Sequence, residues 1–291
     1  MSNISNPLQL RADRSLAPER YATLAALDGI LKILQCPYML VGATARDILL
    51  YNVFGQRVFR ATQDVDIGIL IDSWERFDTV KSAILRAPDF QPSTAQPYRV
   101  LNKTHATAYS TPVDLLPFGE IATESEAFRW PPPDSDLVMN VAAFGDAYAS
   151  SLTVTVGPGF DLRMASLPGL VLLKLLAWVD KSDSKQAQDV LRLVETYGDA
   201  GNEDRLFGDK IDLLERERFD VPLAGARLLA QDALALAAPA TINIVQTLLR
   251  DAKRMNTFQS QMNRSTWRLE DSLVDESGIR FNAFVDTFLG G

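Results

Sequence analysis

Two aspartates one residue apart, Asp64 and Asp66, are the sharpest chemical feature of the sequence. They open an otherwise apolar stretch, residues 63–71 (QDVDIGILI), which is typical of a strand buried along most of its length. Side chains alternate across a strand, so both carboxylates project from one face and repel each other unless a cation lies between them. Mg²⁺ or Mn²⁺ suits oxygen ligands of this kind. An acidic strand face exposed to solvent is the plainer explanation of the pair taken alone.

A third aspartate, Asp114, lies inside a second apolar segment, residues 113–116 (VDLL). A carboxylate in such a strand needs a partner that offsets its desolvation. If the two strands are neighbours, Asp64, Asp66 and Asp114 converge on one point. Three carboxylates can hold two metal ions about 4 Å apart, an arrangement that activates an attacking oxygen and neutralises a leaving pyrophosphate. The alternative is a residue at the sheet end that caps a turn before Pro117.

Residues 42–47 (GATARD) follow a short apolar run and precede a helical pattern. A strand that ends in glycine and opens a helix exposes backbone N–H groups, and the small residues Gly42, Ala43 and Thr44 would let a phosphate approach them. Thr44 could add a hydroxyl donor. Arg46 could contact phosphate or pair with an acid such as Asp47. The alternative is an ordinary strand-to-helix turn with a threonine cap.

A lysine inside an apolar helix is the fourth chemical feature. Lys174 lies in residues 170–178 (LVLLKLLAW), where an ammonium group is costly unless it meets a phosphate or a carboxylate. Residues 182–184 (SDS) break this helix and cap the next, which presents Lys185 and Asp189 from its first turns. A lysine whose charged end reaches solvent and a solvated helix acid are the alternatives.

The elements that must position these residues form a mixed α/β (α+β) sheet flanked by helices, followed by an α-helical part. The patterns predict helices over residues 18–35, 45–53 and 74–85, and strands over 38–41, 63–71, 98–101, 107–109 and 113–116. After residue 166 helical periodicity prevails, over residues 167–179, 187–197, 211–218, 223–237, 242–253 and one or two helices within 257–291. Residues 157–159 (GPG) interrupt regular structure, so the predicted domains are 1–160 and 161–291.

Composition excludes several classes of protein. The 291 residues are 47% hydrophobic and 23% charged, which fits a globular chain with a sizeable core. One cysteine, Cys36, and one histidine, His105, cannot build a four-ligand zinc site, and we interpret His105 as a turn residue. No apolar stretch reaches the ~20 residues of a membrane span, and no signal peptide is evident, so we expect a cytoplasmic protein. The net charge of -8 argues against a broad nucleic-acid surface, although a local basic site remains open.

Taken in order, residues 42–47 (GATARD), 62–66 (TQDVD) and 113–115 (VDL) resemble the three motifs of the DNA polymerase β-like nucleotidyltransferase superfamily. Within it, the sequence is most similar to the AbiEii/AbiGii-type nucleotidyltransferases of abortive-infection (phage defence) and toxin–antitoxin systems. That subgroup has a helical lysine followed by an aspartate with basic residues between them, and Lys174, followed by Lys181, Lys185 and Asp189, is similar. The resemblance covers residues 38–197. Ala43 departs from the Gly or Ser of the first motif, and lysines stand where arginine is common.

The resemblance implies residue roles and partners. It implies that Asp64, Asp66 and Asp114 bind Mg²⁺ or Mn²⁺ and form the catalytic set with Lys174 and Asp189. A nucleoside triphosphate would be the substrate, and the implied nucleotide-binding residues are Gly42, Ala43, Thr44, Arg46, Lys174 and Lys185. It further implies a toxin whose acceptor is RNA, such as the acceptor end of tRNA, and which an antitoxin protein restrains.

The predicted function is therefore metal-dependent transfer of a nucleoside monophosphate from a nucleoside triphosphate to an acceptor hydroxyl. A nucleotidyltransferase that acts on a small molecule or a protein is one alternative, and it predicts little salt dependence, whereas RNA binding weakens steeply with salt. A catalytically silent nucleotide- or partner-binding module is the other alternative. The presence of all three carboxylates speaks against it.

Overall fold

A computed structural model describes residues 6–57, 63–103, 110–122, 126–131, 133, 134, 136–262 and 271–290, with the backbone alone for residues 271–275. His105 and the predicted strand over residues 107–109 lie outside the described residues. The chain divides into two compact units. The first comprises residues 1–53 and 60–165, and the second comprises residues 54–59 and 166–291.

The first unit is built on an eight-stranded mixed sheet and a separate two-stranded sheet. The order of strands is β1-β9-β10-β2-β3-β6-β5-β4 in the large sheet, and β7 pairs with β8. The strands are β1 (Leu8–Gln9), β2 (Tyr38–Val41), β3 (Val65–Leu70), β4 (Phe90–Pro92), β5 (Arg99–Asn102), β6 (Thr111–Phe118), β7 (Ala127–Arg129), β8 (Val138–Asn140), β9 (Leu152–Gly157) and β10 (Phe160–Met164). This architecture confirms the predicted mixed α/β fold.

Strand β3 lies inside the sheet, where it pairs antiparallel with β2 and parallel with β6. Its residues Val65, Ile67 and Ile69 are at most 1% exposed, as expected of a strand with apolar neighbours on its buried face. Hydrophobic runs thus predicted β2, β3 and β6 correctly, and β3 and β6 are the strands that hold the acidic residues.

The predicted break at residues 157–159 is a hairpin turn. Strands β9 and β10 pair antiparallel across it, and Gly159 has φ +67°, a conformation that glycine adopts readily. Strand β10 then pairs with β2, so the sheet continues to Met164. The two compact units divide after Ala165, and the domain boundary at residue 160 stays a prediction.

Four α-helices accompany the sheet in the described part of the first unit: α1 (Pro18–Ile33), α2 (Gly42–Asp47), α3 (Trp74–Arg86) and α4 (Phe144–Ala149). Ser73 caps α3 by accepting a hydrogen bond from the backbone N–H of Arg76. Helix α2 begins at Gly42, earlier than the predicted start at residue 45, and continues into a π-helical segment, Ile48–Val53. The chain therefore passes from β2 into a helix without an intervening loop.

The second unit is helical in its described residues. Its helices are α5 (Leu167–Lys181), α6 (Ser184–Thr196), α7 (Glu203–Leu206), α8 (Ile211–Arg216), α9 (Val221–Leu236), α10 (Pro239–Arg250), α11 (Ala252–Met262) and α12 (Asp271–Phe288). Neighbouring aromatic rings link three of them, with centroid distances of 5.0 to 6.3 Å, in the order Trp178, Phe258, Phe281, Phe284 and Phe288. Within the described residues, every helix is too short or too polar to cross a membrane.

Candidate active site

Two of the three predicted carboxylates lie side by side on neighbouring strands. Asp66 in β3 is the register partner of Asp114 in β6, and the two strands run parallel. Register partners on adjacent strands project from the same face of a sheet, so both side chains lie on one face. Asp64 comes just before β3 and is two residues from Asp66, which continues the same alternation. The register places Asp114 on the strand next to Asp66, whereas the expectation that all three carboxylates share one divalent-ion site stays a prediction.

Gly42 lies directly against the Asp66 carboxylate. Its φ is +69°, and a Cβ added to it would overlap the carboxylate and lie 2.7 Å from Cγ of Asp66. A residue with a side chain would therefore be both strained at this φ and in collision with the acid. The first helical turn of α2 thus approaches Asp66 through its bare backbone.

Thr44 has a different role from the predicted phosphate contact. Its side chain is fully buried, and its hydroxyl donates a 2.6 Å hydrogen bond to the backbone carbonyl of Asp64. This difference follows from the early start of α2, which makes Thr44 part of the helix. The hydroxyl thereby fixes the chain just before β3, where the first acidic residue lies.

Ala43 and Arg46 are also buried, at 8% and 1% exposure. The Arg46 guanidinium donates hydrogen bonds of 2.9 Å and 2.6 Å to one carboxylate oxygen of Asp47. Of the two partners that the sequence left open for Arg46, phosphate or an acid, the structure contains the acid. Burial of a charged group requires such a partner.

Arg99 in β5 is a site residue that the sequence analysis missed. It is the register partner of Asp114, and its Nε and Nη2 atoms donate hydrogen bonds of 2.6 Å and 2.8 Å to the two Asp114 oxygens. The same Nη2 lies 3.9 Å from Oδ2 of Asp64. One guanidinium group therefore contacts two of the three acidic side chains. A basic residue in a short, mostly apolar strand segment was the only signal for it.

The hydrogen bonds with Asp114 raise the pKa of Arg99, which keeps the guanidinium charged. Burial, reinforced by the negative charge of Asp114, raises the pKa of the neighbouring Tyr98 hydroxyl. Tyr98 is consequently neutral at physiological pH. The charged groups that these contacts bring to the site are three carboxylates and one arginine.

Several features of this site fit a divalent cation. Carboxylate oxygens are the ligands that Mg²⁺ prefers, and Gly42 leaves free the space that a side chain would fill beside Asp66. Arg99, which is itself positively charged, already forms ion pairs with Asp114 and Asp64. Within the described part of the chain, however, no three His, Cys, Asp or Glu side chains are grouped in a geometry that could hold a metal ion.

In the second unit, Lys174 of α5 pairs with Asp189 of α6 at 2.8 Å, and the two side chains are only 10% and 1% exposed. The carboxylate that the sequence analysis named as one possible partner of Lys174 is thus Asp189. Asp183 caps α6 by accepting a 2.9 Å hydrogen bond from the backbone N–H of Lys185. The Lys185 side chain is exposed.

A family model described as the nucleotidyl transferase AbiEii toxin of a type IV toxin–antitoxin system matches residues 26–272. The match includes every candidate site residue from Gly42 to Asp189. The chain belongs to the AbiEii nucleotidyltransferase family. It is therefore a nucleotidyltransferase, and the suspected family membership is confirmed. Among curated proteins there is no significant sequence match.

Solved structures show a looser similarity to this AbiEii family member. An antigenic nucleotidyltransferase-like protein from Paracoccidioides brasiliensis is 16% identical with a TM-score of 0.41, over 74% of this chain and 94% of that chain. A putative nucleotidyltransferase from H. pylori is 14% identical with a TM-score of 0.39, over 94% and 96%. A CCA-adding enzyme in complex with ATP is 14% identical with a TM-score of 0.33, over 91% and 67%. No residue assignment depends on these similarities.

The predicted residues of this family member fall into two groups. Gly42, Ala43, Thr44, Arg46, Asp64, Asp66 and Asp114 belong to the first unit, whereas Lys174, Lys185 and Asp189 belong to the second. Backbone register and glycine contact bring Gly42, Asp66 and Asp114 together in the first group. In the second group the structure joins Lys174 to Asp189 directly.

Proposed function

We propose that this AbiEii family member transfers a nucleoside monophosphate from a nucleoside triphosphate to a hydroxyl group of RNA, with Mg²⁺ or Mn²⁺ as cofactor. The acceptor end of tRNA is the first candidate acceptor. The single observation that supports the chemistry most is the register of Asp66 with Asp114, because it sets two carboxylates side by side next to the bare backbone of Gly42.

The three carboxylates have separate roles in this proposal. Asp64 and Asp66 would hold the divalent cation together with the triphosphate, and Asp114 would complete the cation site and help to deprotonate the acceptor. A cation bound there would neutralise charge on the triphosphate and on the leaving pyrophosphate.

The bonds formed and broken in the reaction balance without an oxidant, a reductant or a further substrate. The acceptor oxygen forms a bond to the α-phosphorus, and the bond from that phosphorus to the oxygen bridging to the β-phosphorus breaks. Pyrophosphate leaves with the bridging oxygen. The acceptor proton passes to an Asp114 oxygen and from there to water, since Arg99 occupies only one lone-pair site on each of those oxygens.

The first turn of α2 is the proposed contact for phosphate. The initial N–H groups of a helix have no partner within the helix, and here they adjoin Gly42, which has no side chain to block approach. Contact would come from the backbone of residues 42–44, since the Thr44 hydroxyl and Arg46 already have protein partners. Thr44 serves the site by holding the Asp64 backbone.

In the second unit we assign Lys174 to nucleotide phosphate and Asp189 to holding its ammonium group. A buried ion pair fixes both side chains, because separating the charges inside the protein is costly. The exposed Lys185 is a candidate contact for phosphate. As a member of a toxin family, the chain would be restrained by an antitoxin protein.

Labelled nucleotide transfer tests the proposal. The purified chain is incubated with each α-labelled nucleoside triphosphate and either tRNA, other RNA, total protein or an aminoglycoside as a small-molecule hydroxyl acceptor, with Mg²⁺ or with a chelator. We expect label in the tRNA fraction only when Mg²⁺ is present. Its transfer should weaken steeply between low and high salt.

Asp66→Asn and Asp72→Asn form a matched pair of variants for this assay. Asp72 is an exposed aspartate beyond the other end of β3, where it accepts a hydrogen bond from Ser73. We expect Asp66→Asn to abolish transfer and Asp72→Asn to retain it. Label in the protein fraction or in the aminoglycoside would show that the acceptor is a protein or a small molecule and not RNA. Equal transfer by Asp66→Asn would remove Asp66 from the mechanism.

A further inference from the structure

Arg99 occupies a central position among the acidic residues. It makes two hydrogen bonds to Asp114, and one of the same nitrogen atoms approaches Asp64 at 3.9 Å. Its side chain is 25% exposed, whereas that of Asp114 is only 11% exposed. The contact is therefore shielded from solvent on the Asp114 side and reachable from the Asp64 side, whose side chain is 51% exposed.

Electrostatics give this arrangement a consequence for metal binding. Closely spaced carboxylates disfavour each other's ionisation, and a guanidinium group between them relieves that repulsion. A divalent ion that binds the same oxygens would then stand beside a positive charge. Since like charges at this range repel, Arg99 and the ion compete for the same carboxylates.

We propose that Arg99 is the resident counter-cation of the site: it holds Asp114 and Asp64 together without metal and lowers the affinity of the free protein for a divalent ion. This inference rests on the metal dependence of the proposed function. The negative charge of a triphosphate offsets the combined positive charge of Arg99 and the ion. A divalent ion therefore binds best together with the nucleotide, and weakly to the protein alone.

Metal binding without nucleotide tests the proposal on the full chain. Mn²⁺ affinity is measured by calorimetry, and by the loss of the free-ion signal in electron paramagnetic resonance, for wild type, Arg99→Gln and Arg99→Lys. A charge at about 4–6 Å changes the affinity of a site for a cation by roughly one to three decades, as it does for a proton. We expect Arg99→Gln to bind Mn²⁺ at least about tenfold more tightly. Arg99→Lys, which keeps the charge, should bind as wild type does.

Arg205→Gln is the matched control. Arg205 makes the same two-pronged contact with Asp232, at 2.7 Å and 2.8 Å, in the second unit. Its loss should leave Mn²⁺ affinity unchanged. Addition of Asp66→Asn to Arg99→Gln should cancel the gain, which would locate the bound ion at this site.

Each other outcome contradicts the proposal. Unchanged Mn²⁺ affinity in Arg99→Gln would exclude competition, and weaker affinity would show that Arg99 orients Asp114 as a ligand. If Arg99→Gln does not fold, the test is made on the wild type by NMR of the Arg99 Nε–H resonance. This resonance is assigned by its absence from the spectrum of Arg99→Lys. It should shift at a lower Mg²⁺ concentration when a nucleoside triphosphate is present than when it is absent, and equal midpoints would overturn the proposal. Labelled transfer by the wild type is measured separately, so failure here leaves the proposed function intact.

Discussion

Replacing Gly42 by alanine tests how the backbone of α2 defines the site. The added Cβ would lie 2.7 Å from Cγ of Asp66, and ordinary contact begins at 3.4 Å. Restoring that distance moves Cγ by about 0.7 Å, and the nearer carboxylate oxygen must move further. The substitution thus acts on the position of Asp66 without altering its chemistry.

Two magnitudes follow for Gly42→Ala. A side chain in the left-handed region costs roughly 1–2 kcal/mol, which corresponds to a melting temperature lower by roughly 2–8 °C. Misplacement of a reacting group by about 1 Å can cost about 100-fold in rate. We therefore expect a folded protein whose transfer rate is lower by about two orders of magnitude.

Gly159→Ala separates the two effects. Gly159 has nearly the same φ, +67°, yet an added Cβ there has no neighbour within 4 Å. It should lose similar stability and keep its transfer rate. Thermal unfolding followed by circular dichroism and initial rates of labelled transfer provide the measurements. If Gly42→Ala transfers label as fast as Gly159→Ala does, contact between Gly42 and Asp66 does not position the carboxylate.

Three further substitutions or modifications have defined outcomes. Lys174→Met should destabilise the protein by about 3–5 kcal/mol because it removes the cation that pairs with the buried Asp189 carboxylate at 2.8 Å, and urea unfolding should show most of the loss restored in Lys174→Met with Asp189→Leu. Partial desolvation raises the pKa of Asp180 above 3.8 although the residue is still exposed, so the folded protein binds this proton more tightly than the unfolded chain does. The contribution of Asp180 to stability is complete below pH 3.8 and is lost as the pH rises through the folded-state pKa. Asp180→Asn should therefore raise the free energy of unfolding at pH 7. This gain should vanish near pH 3. Burial likewise raises the pKa of the Cys36 thiol, so iodoacetamide should modify native protein at neutral pH at least about tenfold more slowly than urea-unfolded protein, and equal rates would contradict its burial.

The strands that hold the carboxylates could be predicted because their signal is local. Strands β2, β3 and β6 are apolar runs bounded by polar or turn residues, and an aspartate within such a run needs a partner. The pairing of Asp66 with Asp114 was only conditional, since these residues are far apart in sequence and register depends on the whole sheet. Arg99 was missed for the same reason, because its role exists only once β5 pairs with β6.

Side-chain partners on α2 and α5 show a second limit of sequence patterns. Residues 42–44 have the composition of a phosphate-binding turn. The start of α2 at Gly42, however, directs the Thr44 hydroxyl to the Asp64 carbonyl. For Lys174 the pattern predicted a phosphate or a carboxylate. Choosing Asp189 required the packing of α5 against α6, which periodicity does not specify.

Each acidic residue of the site has its own structural anchor. The Thr44 hydroxyl holds the backbone of Asp64, the Gly42 backbone packs on Asp66, and the Arg99 guanidinium holds Asp114. Gly42 and Thr44 both belong to α2 and Arg99 belongs to β5, so two elements organise the site before any nucleotide arrives. Such organisation costs stability locally, through a positive φ and closely spaced charges, and the fully buried apolar residues of β2 and β3 compensate for it. Since the same core supports all three anchors, core substitutions in these strands should change stability and nucleotidyl transfer together, whereas changes at an anchor should change chiefly transfer.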